Sequence, residues 1–536
     1  MYSFLSARQW LVLLWFVTLA ASLVGRPLFP IDETRYVGVA WEMWSRNDFL
    51  VPYLNGEPYS HKPPLLFWLM QLTWVLFGVN EWSARLVAPL FSLGSVFLLR
   101  SLAGALWPER PNIAGSAPFI MLGFAFWMTY STLTMFDVLL VFFVLLALRS
   151  LWHNANKRPS AGRWLLFGLA IGGGILSKGP VILLHTLPPA LLAPWWIGRD
   201  TRTINWFHWY LGVLSGISVG ALFALSWAIP AGSAGGEVYR EAILFGQTSG
   251  RLVKSFAHRH SWWWYLAFSP ALFVPWCFWP PLWRNLNTLS FRDRGIRFCL
   301  SWLLPVFIAL SLISGKQLHY LLPLVPVVAL LISRVADNAE FDKWRESQQV
   351  FVVAITLVAV VLIALPIVND YFSWKKQWAD YSTVWGMLLL LAAIGLWFCR
   401  IDSIAESAFY LNVGTLVTIV ILSLSVLDIR SERFDVRESA QQIAGLFRQG
   451  SEVAHLGTYH GQYNFYGRLE AGLISTIDPV HWARMHPEGY LAITFRTKQA
   501  LPDSLFVYHH PFRGRMMAIV SNKVLLENEL LRSIFR

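Results

Sequence analysis

Charge is scarce in this sequence: of 536 residues only 14% are Asp, Glu, Lys or Arg, against 56% hydrophobic ones. A soluble chain of this length cannot bury so much apolar surface, so the composition excludes an ordinary soluble globular protein and calls for lipid as part of the solvent. Cysteine is nearly absent. Cys277, Cys299 and Cys399 lie in or at the ends of apolar runs without CxxC spacing, which supports neither a disulfide framework nor a zinc knuckle. A Walker pattern is missing, and Gly172-Gly173-Gly174 sits inside an apolar helix, so no nucleotide site is expected. Internal repeats and low-complexity tracts are not apparent. The surplus of 43 Lys plus Arg over 31 Asp plus Glu, a net +12, would suggest nucleic acid in a soluble protein. Here the basic residues are spread over short loops between apolar segments, which marks membrane topology and no nucleic-acid partner.

What the sequence has in abundance is long apolar runs and tryptophan. Many of the 29 tryptophans flank such runs, as Trp195-Trp196 and Trp262-Trp263-Trp264 do, and indole favours the headgroup boundary. Runs approaching the roughly 20 residues needed to cross hydrocarbon begin near Trp10, Ala84, Ala117, Phe136, Trp164, Pro180, Trp209, Trp263, Phe298, Leu318, Val350, Val384 and Ala408, about thirteen spans. The first resembles a signal peptide, but the spans that follow favour an uncleaved helix. Pro64–Phe77 is shorter, and its placement decides the topology. If it lies flat, the loops 100–114, 149–163, 198–208, 284–297, 334–348 and 400–407 fall inside, and these are the basic ones.

That parity places 26–63, 134–137, 178–180, 230–262, 314–320 and everything after about 428 outside. These segments carry Asp32, Glu33, Arg35, His61, Lys62, Asp137, Lys178, Arg251, His258, His260, Lys316 and His319 at outer ends of spans, where ionisable groups are costly unless paired or employed. The first outer loop reads as two surface helices, with Val37, Trp41 and Trp44 on one face and Pro64–Phe77 following a turn at Asn55-Gly56-Glu57-Pro58. After Leu427 the composition turns polar with strand-like runs at Val453–Leu456, Tyr490–Phe495 and Met517–Val520. The expected organisation is a membrane domain over 1–427 and a soluble α/β domain over 428–536.

An outward site of two separated acids and several cations beside lipid suits group transfer from a phosphate-linked lipid: a carboxylate takes the acceptor's proton while cations hold the departing phosphate. The segment Asp32-Glu33-Thr34-Arg35-Tyr36, followed by Leu54-Asn55-Gly56 and Lys62-Pro63-Pro64-Leu65-Leu66, resembles the aminoarabinose transferases and their protein-O-mannosyltransferase relatives. So do Phe77–Leu86, Phe136-Asp137, Ser177-Lys178-Gly179-Pro180, Gly250-Arg251 and Tyr320-Leu321-Leu322-Pro323.

The resemblance implies a polytopic α-helical protein of the GT-C glycosyltransferase fold in a bacterial inner membrane, with a small periplasmic C-terminal domain. It implies transfer of a sugar from an undecaprenyl or other polyprenyl-phosphate carrier to a lipid, glycan or protein acceptor. Asp32 corresponds to the catalytic base and Asp137 to a second acid. Arg35 belongs to the motif at the substrate site; Tyr59, Lys62, Arg251 and Tyr320 correspond to phosphate-holding groups; and Lys178 lies by the sugar pocket. Relatives carry Glu where this chain has His61. That imidazole can bind zinc with His258 or His260, or simply hydrogen-bond, so a divalent metal stays open.

Each residue also has a plainer reading. Asp32-Glu33 and Asp137 suit helix N-termini, Lys178 and Lys316 suit snorkelling, and the Trp262–Trp264 triplet suits an interfacial anchor. Arg292-Asp293-Arg294 reads as ordinary inside charge. The rival function is a transporter or flippase of lipid-linked sugar, against which stand the missing inverted repeats and the gathering of ionisable groups at one boundary.

Overall fold

The structure, a computed structural model, describes residues 6–24, 26–156, 160–198, 204–246, 259–338, 344–372, 382–399, 401–427, 433–470, 472–496 and 501–535. Among these, seven helices are long and apolar enough to cross a membrane: Glu81–Leu106, Phe136–Asn156, Trp206–Ala234, Arg294–Leu312, Leu318–Ala336, Gln348–Val368 and Ile404–Ser425. Ala7–Leu23, Val181–Leu191 and Val384–Phe398 are shorter apolar helices. The span expected near Trp164 is the unbroken helix Ala161–Lys178, while two others are interrupted. Proline removes an N–H and clashes with the preceding turn. The run after Trp263 becomes Trp264–Leu272, Trp276–Phe278 and Pro280–Arg284 around Pro270, Pro275, Pro280 and Pro281, whereas the run after Ala117 divides into Pro111–Gly123 and Ala125–Tyr130 at Phe124, which is extended. Leu318–Leu324 is wound as a 3₁₀ segment through Pro323 before α-helix begins at Val325.

The chain folds into two compact units. The first comprises residues 1–22, 86–230 and 241–425, the second 23–85, 231–240 and 426–536.

In the first unit the antiparallel helices Phe136–Asn156 and Ala161–Lys178 place Asp137 and Lys178 at one end. At the other end Ser150 donates to the Arg163 carbonyl (2.6 Å) and Arg163 Nε to Asn154 (3.1 Å). The glycines of Ala161–Lys178 let neighbours approach. A Cβ on Gly168 would sit 2.6 Å from the Gly216 carbonyl oxygen and one on Gly172 2.5 Å from Phe223, so Gly168 and Gly172 meet Trp206–Ala234 almost backbone to backbone. Asp293 is more than ordinary loop charge. It caps Arg294–Leu312 through the amides of Gly295 (2.8 Å) and Ile296 (3.2 Å), and accepts from Trp107 Nε1 (3.0 Å) and Arg334 Nε (2.9 Å).

In the second unit the helix Asp32–Ser45 is followed by a hairpin of β1 (Tyr53–Leu54) and β2 (Glu57–Pro58), then by the helix Leu65–Phe77. Asn55 and Gly56 form the hairpin tip with φ of 58° and 88°, the conformation the Asn-Gly pair favours. Thirteen residues make Leu65–Phe77 about 20 Å long, short of a hydrocarbon core of about 30 Å. The C-terminal segment builds one five-stranded sheet from β3 (Val453–Leu456), β4 (Ile474–Thr476), β5 (Tyr490–Phe495), β6 (Tyr508–Phe512) and β7 (Arg515–Ser521). The order is β4-β3-β5-β7-β6, with β4 and β5 parallel to β3 and the β5-β7 and β7-β6 pairs antiparallel. Ala492, Met517 and Ile519 pack on one side with Ile443 and Leu446 of the helix Arg437–Arg448; Leu491, Ile493 and Val520 pack on the other with Trp482, Leu525 and Leu531.

Candidate functional site

The candidate residues fall into two groups, one on each unit. In the first unit Asp137 lies in the first turn of Phe136–Asn156 and is almost wholly buried. Lys178 is the last residue of Ala161–Lys178, where Gly179 (φ 78°) ends the helix. The Lys178 ammonium is ion-paired with the Asp137 carboxylate and lies 4.7 Å from the centroid of the Tyr320 ring. A buried acid is thereby matched by one cation, which also faces an aromatic ring. Tyr265, fully buried, donates its hydroxyl to the Gln317 carbonyl (3.0 Å).

Lys316 has a different task. Its ammonium donates to the carbonyls of His260 (3.0 Å) and Ile313 (2.5 Å), so it closes the end of Arg294–Leu312 rather than facing a cavity. His260 stacks on Trp264, while Trp262 and Trp263 are exposed as anchors would be. Sequence reading passed over His185, which is fully buried and accepts at Nδ1 from Trp302 Nε1 (3.2 Å), leaving its proton on Nε2. Nothing local signalled it, because it stands within an apolar run.

In the second unit the structure separates two adjacent acids. Glu33 is buried and spent: it is ion-paired with Arg26 and accepts from the Phe29 amide (2.9 Å), a side-chain bond back to the segment that precedes its own helix. Asp32 stands exposed at the first position of that helix, ion-paired with Arg35 and 3.4 Å from the Tyr36 hydroxyl. Arg35 lies within electrostatic reach of Tyr59, and its Nε is buried without a hydrogen-bond partner among the described residues. Tyr59 is buried with its ring 5.2 Å from that of His61. His61 is exposed and Lys62 half-buried on the turn leading to Leu65–Phe77. Arg251 and His258 lie outside the described residues. Among the described residues no group of three or more His, Cys, Asp or Glu is arranged to hold a metal ion, and the partner expected for His61, His258, lies outside them.

Glu42 and Asn55 hold the hairpin that follows. Glu42 accepts from the amides of Asn55 (2.6 Å) and Gly56 (2.6 Å), and burial pushes its carboxyl above the usual range against the lowering effect of those amides and Arg46. Asn55 exchanges two hydrogen bonds with Leu473, donating Nδ2 to its carbonyl (2.8 Å) and accepting from its amide (2.7 Å). Trp41 Nε1 donates to Leu469 (3.1 Å), and Arg468 lies over the rings of both Trp41 and Phe465. The segment from Asp32 to Gly56 and the C-terminal segment therefore share one framework.

Residues 61–227 match the family described as dolichyl-phosphate-mannose-protein mannosyltransferase. The undecaprenyl phosphate-α-4-amino-4-deoxy-L-arabinose arabinosyl transferase 2 of Pseudomonas fluorescens is 27% identical over 68% of this chain and 65% of its own length. The corresponding transferase of Enterobacter sp. is 29% identical over 62% of this chain and 60% of its own. The chain thus spans less than two thirds of the length of these relatives. The crystal structure of ArnT from Cupriavidus metallidurans bound to undecaprenyl phosphate superposes over 97% of this chain and 99% of that one, with a TM-score of 0.72 at 20% identity. This chain is a GT-C-fold relative of the aminoarabinose transferases. As such it is a multi-pass membrane protein whose polytopic helical body carries a small C-terminal sheet domain. The motifs of this GT-C-fold chain divide accordingly: the Asp32-Arg35 and Lys62-Pro63-Pro64 segments lie in the second unit, Asp137, Lys178 and Tyr320 in the first.

Proposed function

We propose that this protein transfers a sugar from an undecaprenyl or related polyprenyl-phosphate carrier to an acceptor hydroxyl or phosphate, on the periplasmic face of the bacterial inner membrane. The observation that carries the reading is the division of labour at Asp32-Glu33: one carboxylate is consumed by the fold, and the other stands open with a guanidinium and a phenol beside it. The curated relatives, named as undecaprenyl-phosphate-linked arabinosyl transferases, supply the class of carrier.

In this mechanism Asp32 accepts the proton of the acceptor hydroxyl as its oxygen attacks the anomeric carbon, and the bond from that carbon to the phosphate oxygen breaks. Polyprenyl phosphate leaves with an added negative charge, met by Lys62, Arg35 and the Tyr59 hydroxyl; the resemblance assigns Arg251, outside the described residues, to the same task. In the first unit Asp137 and Lys178 are paired with each other and Lys178 faces Tyr320; the resemblance assigns this pair to the sugar. Residues 428–536 form the periplasmic domain. Aminoarabinose is the first sugar to test, and lipid A, an envelope glycan or a protein are the acceptor classes.

The test is transfer by the purified protein in detergent, where no membrane sides exist, from undecaprenyl-phosphate-linked aminoarabinose to lipid A and to an envelope lipid extract. Labelled sugar in the acceptor supports an enzyme. Carrier binding without transfer to any acceptor favours the transporter reading.

A further inference from the structure

Two cations of the first unit are left without an acid. Arg294 and Arg297 stand three residues apart at the start of the helix Arg294–Leu312, so they share one of its faces. Like charges at that spacing repel, and cations there oppose the positive end of the helix dipole. Asp293, their neighbour in sequence, is committed elsewhere, accepting from Gly295, Ile296, Trp107 and Arg334. Among the described residues neither guanidinium is ion-paired, and Arg294 Nε and Nη2 and Arg297 Nε are buried without a hydrogen-bond partner.

The surroundings hold both side chains in place. Arg294 Nη1 donates to Asn156 Oδ1 (2.7 Å), at the opposite end of Phe136–Asn156 from Asp137. Its guanidinium lies 4.9 Å and 5.4 Å from the ring centroids of Trp152 and Trp196, which stack on each other at 5.3 Å. That leaves the Nε–Nη2 edge, whose two N–H groups point the same way and form the fork that takes two oxygens of one anion. Arg297, half-buried, stands against Gly198, where a Cβ would lie 3.0 Å from Nη2 and 3.5 Å from Nη1, so any other residue there would crowd the guanidinium. Beside the pair the helix Trp206–Ala234 offers apolar surface. Its Trp209 packs on Trp196 (6.2 Å), while Trp206, Phe207, Tyr210 and Leu214 of the same stretch line a recess.

We infer that Arg294 and Arg297, flanked by Asn156 and Gly198, form a binding site for a phosphate group, and that the group is the headgroup phosphate of an anionic membrane lipid. Two unspent guanidinia match the charge and the two free oxygens of a phosphodiester, and a helical membrane body meets that group in its own bilayer. The phosphate docks against Arg297, and the free edge of Arg294 turns onto it; the recess at Trp206 takes an acyl chain. The site lies at the other end of its helices from Asp137 and Lys178 and is independent of the transfer reaction.

The test is isothermal titration of the full chain, stripped of lipid in detergent, with dioctanoyl phosphatidylglycerol, with dioctanoylglycerol, which lacks the phosphate, and with inorganic phosphate. Native protein is expected to bind phosphatidylglycerol at least tenfold more tightly than either of the others. Arg297→Gln, and Arg294→Lys, which keeps the charge but loses the fork, are each expected to weaken that binding about tenfold, the range for one charge-assisted bond. Arg292→Gln, an exposed cation next door, should leave it unchanged. All variants are matched to native protein by melting temperature; if Arg294→Lys loses its packing on the two indoles, Arg297→Gln decides alone. Equal binding of dioctanoylglycerol, or full affinity in Arg297→Gln, overturns the site. Inorganic phosphate bound as tightly as the lipid overturns the lipid as its occupant.

Discussion

The Lys178 ammonium is ion-paired with the Asp137 carboxylate, two residues 41 positions apart that meet where antiparallel helices end, with 12% and 3% of their side chains exposed. Breaking a buried pair leaves an uncompensated charge, a cost of about 3–5 kcal/mol, whereas removing both partners costs far less. Lys178→Met and Asp137→Leu alone are expected to lower the melting temperature sharply, and the double variant to recover most of the loss. If the pair serves only the fold, the double variant will also recover transfer; the proposed role at the sugar predicts that it will not.

The two acids at the start of the helix Asp32–Ser45 are expected to part company under mutation. Asp32→Asn should fold normally and lose about 100-fold or more in transfer, the range for a general base. Glu33→Gln should instead lower stability, because Arg26 and the Phe29 amide lose a buried partner. Thermal melts beside transfer rates check the split, and equal effects of the two variants on both readouts would count against it.

Asn55 is expected to behave as a fastening. Asn55→Ala removes both bonds to Leu473, each worth about 1 kcal/mol, and places alanine at φ 58°. Hydrogen exchange at the Leu473 amide should accelerate. Asn55→Asp keeps the acceptor for that amide but not the donor to the Leu473 carbonyl, so it should fall between.

The C-terminal segment is expected to weaken in acid. Burial holds His455 neutral, with its pKa down to about 4 despite the opposing effect of the Gly457 carbonyl. The unfolded chain takes up this proton near 6.5 and the folded one does not until about 4, so the stability is present above 6.5 and lost as pH falls toward 4. The slope is at most about 1.4 kcal/mol per pH unit for one group. Hydrogen exchange of the β3 and β5 amides at pH 7 and pH 5 measures it, and His455→Gln should flatten it.

Local periodicity carried the apolar helices and the strands β3, β5 and β7, since each buries its own repeating pattern. The hairpin at Asn55-Gly56 was legible as a turn, yet its Asn-Gly pair already signalled a hairpin. The interruption after Leu272 is a proline effect that a hydropathy count averages away. Long-range partners were out of reach. Nothing near Glu42 announces that it holds Asn55 and Gly56, Asn55 and Leu473 are 418 residues apart, and the meeting of Gly38 with the Gly461 carbonyl joins distant segments. Adjacent Asp32 and Glu33 look alike in sequence, and only folding ties Glu33 to Arg26 and the Phe29 amide and leaves Asp32 exposed.

The most direct test of the central claim is sugar transfer by native protein and Asp32→Asn, matched for folding by their melting temperatures, with undecaprenyl-phosphate-linked aminoarabinose as donor. Transfer by the native protein and its near-complete loss in the variant is the expected result. Undiminished transfer by a well-folded Asp32→Asn protein would contradict it.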